Sequence, residues 1–109
     1  MSLNDWSEDE LTRAIASGNA LLVDLRAEWC AQCGPQAQVL ERIAPEFAST
    51  VTISTVDVGR YPLVADRFGV SGLPALLLFN NGELQETLCG FKRAPLVRQA
   101  MARLIEEGE

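Results

Sequence analysis

Hydrophobic positions recur along this chain with two periods, and the switches between them mark out its elements. Leu11, Ala14 and Ile15 fall at helical spacing behind Ser7-Glu8-Asp9-Glu10. Ser7 and Glu10 have the spacing of a capping box, and Trp6 is placed to staple onto Leu11. A helix over about Glu8 to Ser17 is expected, with Gly18 as its left-handed stop. Leu21 to Ala27 is apolar except at Asp24 and Arg26, the pattern of a strand covered on both faces. Val39, Leu40, Ile43 and Phe47 return to the helical period. They predict a helix from about Cys33 to Phe47, with Pro35 in its first turn and Pro45 kinking or ending it.

Val51 to Val58 alternates as a strand, and Pro62 suits the start of a short helix that runs to Phe68 and stops at Gly69. Gly72-Leu73-Pro74-Ala75-Leu76-Leu77-Leu78-Phe79 is a turn feeding a buried strand. Asn80-Asn81-Gly82 is a hairpin signal, so Glu83 to Cys89 is expected to return antiparallel beside it. Pro95 opens a last helix whose buried stripe is Leu96 or Val97, then Ala100, Met101, Leu104 and Ile105. This order predicts an α/β protein, a central mixed sheet with helices on both faces, in a single domain over residues 1–109. No internal repeat, low-complexity tract or linker interrupts it.

Composition narrows the partners. With 48% of 109 residues apolar, the chain has material for one core and not two. Mean hydropathy is close to zero, and the longest apolar run, Leu73 to Phe79, is far below the roughly 20 residues of a membrane span. A net charge of −6 argues against nucleic acid or an anionic membrane as partner, since such binding needs clustered cations and only Lys92-Arg93 are adjacent. The N-terminus has neither the basic start nor the apolar stretch of a secretory signal, which points to a reducing, cytoplasmic setting.

The chemistry concentrates in Trp29-Cys30-Ala31-Gln32-Cys33-Gly34-Pro35. Two cysteines at i and i+3, after a strand and before a helix, lie on one side of a first helical turn. Their spacing is compatible with the roughly 5.5–6 Å Cα separation of a disulfide. Cys30 is the expected nucleophile, because unpaired amides and the helix dipole stabilise a thiolate at a helix N-terminus. Cys33 is the resolving thiol, attacking the mixed disulfide. A structural zinc site is disfavoured, because it needs four ligands and the chain has no histidine and only one further cysteine, Cys89. Cys89 is expected to be a buried small hydrophobe, with a regulatory thiol as the alternative.

These residues carry a family resemblance. Val23-Asp24-Leu25-Arg26-Ala27-Glu28-Trp29-Cys30-Ala31-Gln32-Cys33, the run Gly72 to Glu83, and Asp57-Val58 and Cys89-Gly90-Phe91 at matching intervals resemble the thioredoxin family over essentially the whole chain. The sequence departs from the family pattern at several points. Ala31-Gln32 stands where thioredoxins have Gly-Pro, and Gly34 replaces a basic residue. Arg26 takes an often aromatic position, where it either supports the thiolate or is solvated. Thr55 stands where a lysine neighbours the strand acid, and Gln38 where the mid-helix proline falls. The polar segment before Trp6 predicts a short or missing first strand.

The resemblance implies a thioredoxin fold and a thiol-disulfide oxidoreductase that reduces client protein disulfides. It assigns proton transfer to Asp24, a cis peptide bond to Pro74, and client binding to Trp29, Leu73, Pro74 and Gly90. With no lysine at Thr55, Asp24 is expected to stay protonated to higher pH than in thioredoxins. No metal and no bound cofactor are implied for this monomer. NADPH and flavin enter only through a partner, a thioredoxin reductase-like donor. Two alternatives remain: a thiol oxidase or isomerase, and a non-catalytic adaptor for one dedicated partner.

Overall fold

The computed structural model describes residues 3–107. Its strands are β1 (Asn4–Asp5), β2 (Leu21–Arg26), β3 (Thr52–Asp57), β4 (Ala75–Asn80) and β5 (Glu83–Cys89). Its helices are α1 (Glu8–Ala16), α2 (Cys33–Ile43), α3 (Leu63–Arg67) and α4 (Ala94–Glu107). The five strands form one sheet in the order β1-β3-β2-β4-β5. β1, β3 and β2 run parallel, while β4 is antiparallel to both β2 and β5. β2 therefore lies at the centre and delivers its C-terminal end to the cysteines.

The helices divide over the two faces as the sequence pattern requires. On one face Leu21, Val23 and Leu25 of β2 pack with Leu11 of α1 and Val64 of α3. On the other, Leu22 of β2 and Leu76 and Leu78 of β4 pack with Leu40 and Ile43 of α2 and Val97, Met101 and Leu104 of α4. Each fully buried leucine contributes roughly 2 kcal/mol by leaving water. Asp24, between Val23 and Leu25, falls on the α2 face of the sheet with Leu22 and Arg26.

The element ends have local causes. Ser7 caps α1 in a complete capping box, and Gly18 takes φ +80° beyond its end. Pro45 has no N–H to offer Glu41, so α2 ends at Ile43 and continues as a 3-10 turn over Ala44–Phe47. Asn81 and Gly82, at φ +55° and +81°, turn the β4–β5 hairpin as an Asn-Gly pair does. The first strand is short, as expected, with two residues beside β3. In α4, Val97 is buried and Leu96 is 47% exposed, which decides between them; the helix begins at Ala94, with Pro95 in its first turn.

One expectation is corrected. Cys89 is exposed, not buried. β5 is an edge strand whose Leu88 reaches the α4-side core, while Thr87 and Cys89, of the opposite alternation, have no helix over them and face solvent.

Candidate active site

β2 ends at Arg26, and the chain then winds into α2 through a series of short backbone bonds. Cys30 N–H donates to the Ala27 carbonyl at 3.1 Å, Cys33 N–H to the Cys30 carbonyl at 3.3 Å, and Gln36 N–H to the Gln32 carbonyl at 3.1 Å. This turn sets the two cysteines 5.5 Å apart at Cα, and they are disulfide-bonded. Their environments differ. Cys30 is half-buried on the rim, whereas Cys33 is only 4% exposed. Gln32 at the N-cap makes no side-chain cap bond, the first turn holds no acid, and Pro35 has no amide to satisfy. The positive end of α2 is thus left to the sulfurs.

On β2, the strand that leads into them, Asp24 is fully buried, and neither carboxylate oxygen has a hydrogen-bond partner. Burial pushes its carboxyl up to about 7, with the Arg26 guanidinium pulling the other way and Asp5 adding to the rise. A carboxyl group poised there is neutral or charged with almost equal ease at physiological pH, which suits an acid-base group. Its neighbours are arranged across the sheet. Asp24 pairs in register with Thr55, and Thr55 with Asp5 on β1. The Thr55 hydroxyl donates to the Asp5 carboxylate and so leaves Asp24 alone, and Arg26 Nη2 binds Asp5 Oδ2 at 2.5 Å. Arg26 is therefore a partly buried ion-pair member, neither a bare cation for the thiolate nor a solvated one. It stands two residues from Asp24 on the same face and supplies some of the positive charge that Thr55 lacks. An open cavity of about 580 Å³ borders Arg26, Asp5, Thr55, Cys30, Cys33 and Gly34.

The other flank is formed by the Leu73–Pro74 bond, which is cis. Leu73 and Gly72 share a cavity of about 210 Å³ with Trp29, a residue 75% exposed, and with Pro62 and Val70. Gly90, at φ +83°, donates its N–H to the Pro74 carbonyl at 2.8 Å. The structure thus brings Cys30 to Cys33, Trp29 to Leu73 and Gly90 to Pro74, with Asp24 on the strand that feeds them. Among the described residues no group of three or more histidines, cysteines or acids is placed to hold a metal ion, and no helix is long and apolar enough to cross a membrane.

Two residues escaped the sequence reading. Asp5 carries no local signal, because its role depends on a partner on another strand. Gln36 is fully buried, with both ends of its amide bonded to the backbone of Lys92. Its signal was present: it stands three, four and seven residues before Val39, Leu40 and Ile43, on the buried stripe of α2.

A family model described as Thioredoxin matches residues 3–103. The chain is 43% identical over 86 residues to Thioredoxin of Chlamydia muridarum, covering 79% of this chain and 82% of that protein. It is 38% identical over 89 residues to Thioredoxin of Mycobacterium tuberculosis, covering 81% and 77%. A solved structure, that of a mutant thioredoxin from Halobacterium salinarum NRC-1, matches with a TM-score of 0.84. That match has 25% identity and covers 94% of this chain and 89% of that one.

Proposed function

We propose, from the premise that this chain belongs to the thioredoxin family and is a thiol-disulfide oxidoreductase of that fold, that it works in the reducing direction on the disulfides of client proteins. The observation that carries the residue assignment is the unequal exposure of the two bonded cysteines at an uncapped helix start. Cys30, on the rim, is the thiol a client disulfide reaches. Its thiolate attacks one client sulfur, a mixed disulfide forms, and one client thiolate leaves. Cys33, enclosed behind it, then attacks Cys30 Sγ and releases the second client thiolate. Two electrons pass to the client, and the Cys30–Cys33 disulfide is the oxidised product.

For that second step Cys33 must lose its proton in a buried place. Asp24, pushed up to about 7 by burial, is the group assigned to receive it. Trp29, Leu73, Pro74 and Gly90 form the edge on which an extended client segment docks, the Leu73 backbone offering it strand-like pairing.

The family uses a redox-active disulfide without a bound cofactor. Re-reduction falls to a reductase-like partner carrying flavin and drawing on NADPH, and the setting is the cytoplasm. The protein is taken to act as a monomer of one domain.

The direction is tested by equilibrating the Cys30–Cys33 pair against a glutathione or dithiothreitol series. A potential near that typical of thioredoxins, about −270 mV, is expected. One near the roughly −120 mV of a strong thiol oxidant would reverse the direction. Failure to form the disulfide at all would leave only an adaptor.

A further inference from the structure

One buried side chain takes no part in this chemistry. Gln36, on α2 three residues beyond Cys33, sends both ends of its amide to a single backbone residue. Its Oε1 accepts from Lys92 N–H at 2.7 Å, and its Nε2 donates to the Lys92 carbonyl at 3.1 Å. This is the double bond pattern that facing residues exchange in an antiparallel ladder, made here by a side chain.

Lys92 lies in the irregular segment 90–93 between β5 and α4. One end of that segment is tied to the docking edge, where Gly90 N–H meets the Pro74 carbonyl. At the other end the Arg93 carbonyl accepts from Leu96 and Val97 and starts α4. A fully buried amide on a stripe otherwise made of Cys33, Val39, Leu40 and Ile43 carries a desolvation cost that an apolar residue would avoid. What the amide supplies in return is a fixed position for Lys92.

We propose that Gln36 is a positioning residue for client binding: its amide clamps Lys92 and thereby holds the Gly90–Lys92 side of the docking groove against the helix that carries the cysteines. This rests on the assignment of Leu73, Pro74 and Gly90 to client docking. Without the clamp the segment keeps its ends and loses its middle, and a client meets an edge that must be ordered on binding. The thiol chemistry is spared, because the Cys30–Cys33 turn is held by its own bonds to Ala27 and Cys30.

The test separates docking from chemistry. Gln36→Met keeps the length of the side chain without either hydrogen bond, and Gln36→Glu keeps the acceptor for Lys92 N–H and loses the donor once its buried carboxyl is ionised, so it is read at about pH 9. Stopped-flow oxidation of the pre-reduced proteins gives an apparent Kd and a limiting rate with insulin. The same experiment gives a second-order rate with hydroxyethyl disulfide, which is too small to span the segment. The apparent Kd for insulin is expected to rise about tenfold in Gln36→Met and about threefold in Gln36→Glu, with limiting and small-disulfide rates within about twofold of wild type.

An unchanged insulin Kd, or parallel losses on both substrates, overturns the assignment of Gln36. If Gln36→Met fails to fold, Gln36→Glu decides by the same criterion. A wild-type protein that reacts with the small disulfide and not with insulin overturns the docking assignment itself, and the role of Gln36 with it.

Discussion

Two helices of this protein begin in opposite ways. α1 starts closed: Ser7 Oγ accepts from Glu10 N–H at 3.1 Å, the Glu10 carboxylate accepts from Ser7 N–H at 3.0 Å, and Glu8, Asp9 and Glu10 load the first turn with negative charge. α2 starts open, with no side-chain cap and no acid in its first turn. Closing a helix end satisfies its free amides and stabilises the fold. Leaving it bare keeps the partial positive charge available to whatever anion is placed there, and here that is sulfur. The first arrangement serves the scaffold, and the second leaves the helix end free for the reactivity proposed for Cys30.

The carboxylates follow the same division, and Asp24→Asn probes it hardest. Hydrogen bonds from Ser7 hold Glu10 below its ordinary range, whereas burial pushes Asp24 from 3.8 up to about 7. Between those two values the folded protein holds a proton on Asp24 that the unfolded chain has released, so stability falls as pH rises through this window. Asp24→Asn removes the ionisation and keeps the shape. It is expected to leave stability unchanged near pH 4 and to raise it by up to about 4 kcal/mol above pH 7, read by urea unfolding of the oxidised protein. Release of the reduced client should slow by roughly tenfold or more if Asp24 receives the Cys33 proton as proposed. A pH-independent gain would mean that the native carboxyl is not titrating in this range.

Much of this contrast was legible in the chain itself. Ser7-x-x-Glu10 announces a closed start, and Cys30-x-x-Cys33 followed by Gly34-Pro35 announces one without a cap. Asp24 stood out as the lone acid in an apolar strand. Periodicity found the strands and helices because one or both faces of each are buried. It was silent on β1, where Asn4 and Asp5 have no apolar pattern and are strand only because β3 offers unpaired backbone. Cys89 was misjudged because residue type does not reveal that β5 lies at an edge. Arg26 was left between two readings that both missed its partner, Asp5, which lies 21 residues away. Gln36 was passed over because an amide inside an apolar stripe acquires meaning only when the fold brings Lys92, 56 residues away, to meet it. Local pattern finds elements, while partners distant in sequence decide what their polar side chains do.

The contrast is sharpened by closing the open end. Gln32 is exposed and at the N-cap position, with φ −90° and ψ −4°, so a carboxylate there acts by its charge rather than as a hydrogen-bonding cap. Gln32→Glu should therefore favour the helix and disfavour the thiolate. A dipole-scale interaction of about 0.3–1 kcal/mol corresponds to a roughly two- to fivefold slower alkylation of Cys30 by iodoacetamide at pH 6. Stability is expected to gain a few tenths of a kcal/mol. An unchanged alkylation rate would show that the bare helix start does not tune Cys30.

Opening the closed end should do the reverse, with no effect on the chemistry. Ser7→Ala removes the acceptor for Glu10 N–H and leaves the α1 amides to water. The expected cost is about 1 kcal/mol, or about 4 °C in Tm, with insulin reduction unchanged. The loss should be full at neutral pH and shrink only in part in acid, because the backbone N–H of residue 7 still binds the Glu10 carboxylate after the substitution. The folded protein holds Glu10 ionised to lower pH than the unfolded chain does, so the contribution of the box is present above the carboxylate range and fades as pH falls through it. Leu11 anchors α1 in the core and is fully buried, which keeps the helix in place after its cap is lost. A fall in activity alongside the fall in Tm would mean that the start of α1 reaches the redox site after all, and the separation between scaffold end and reactive end would not hold.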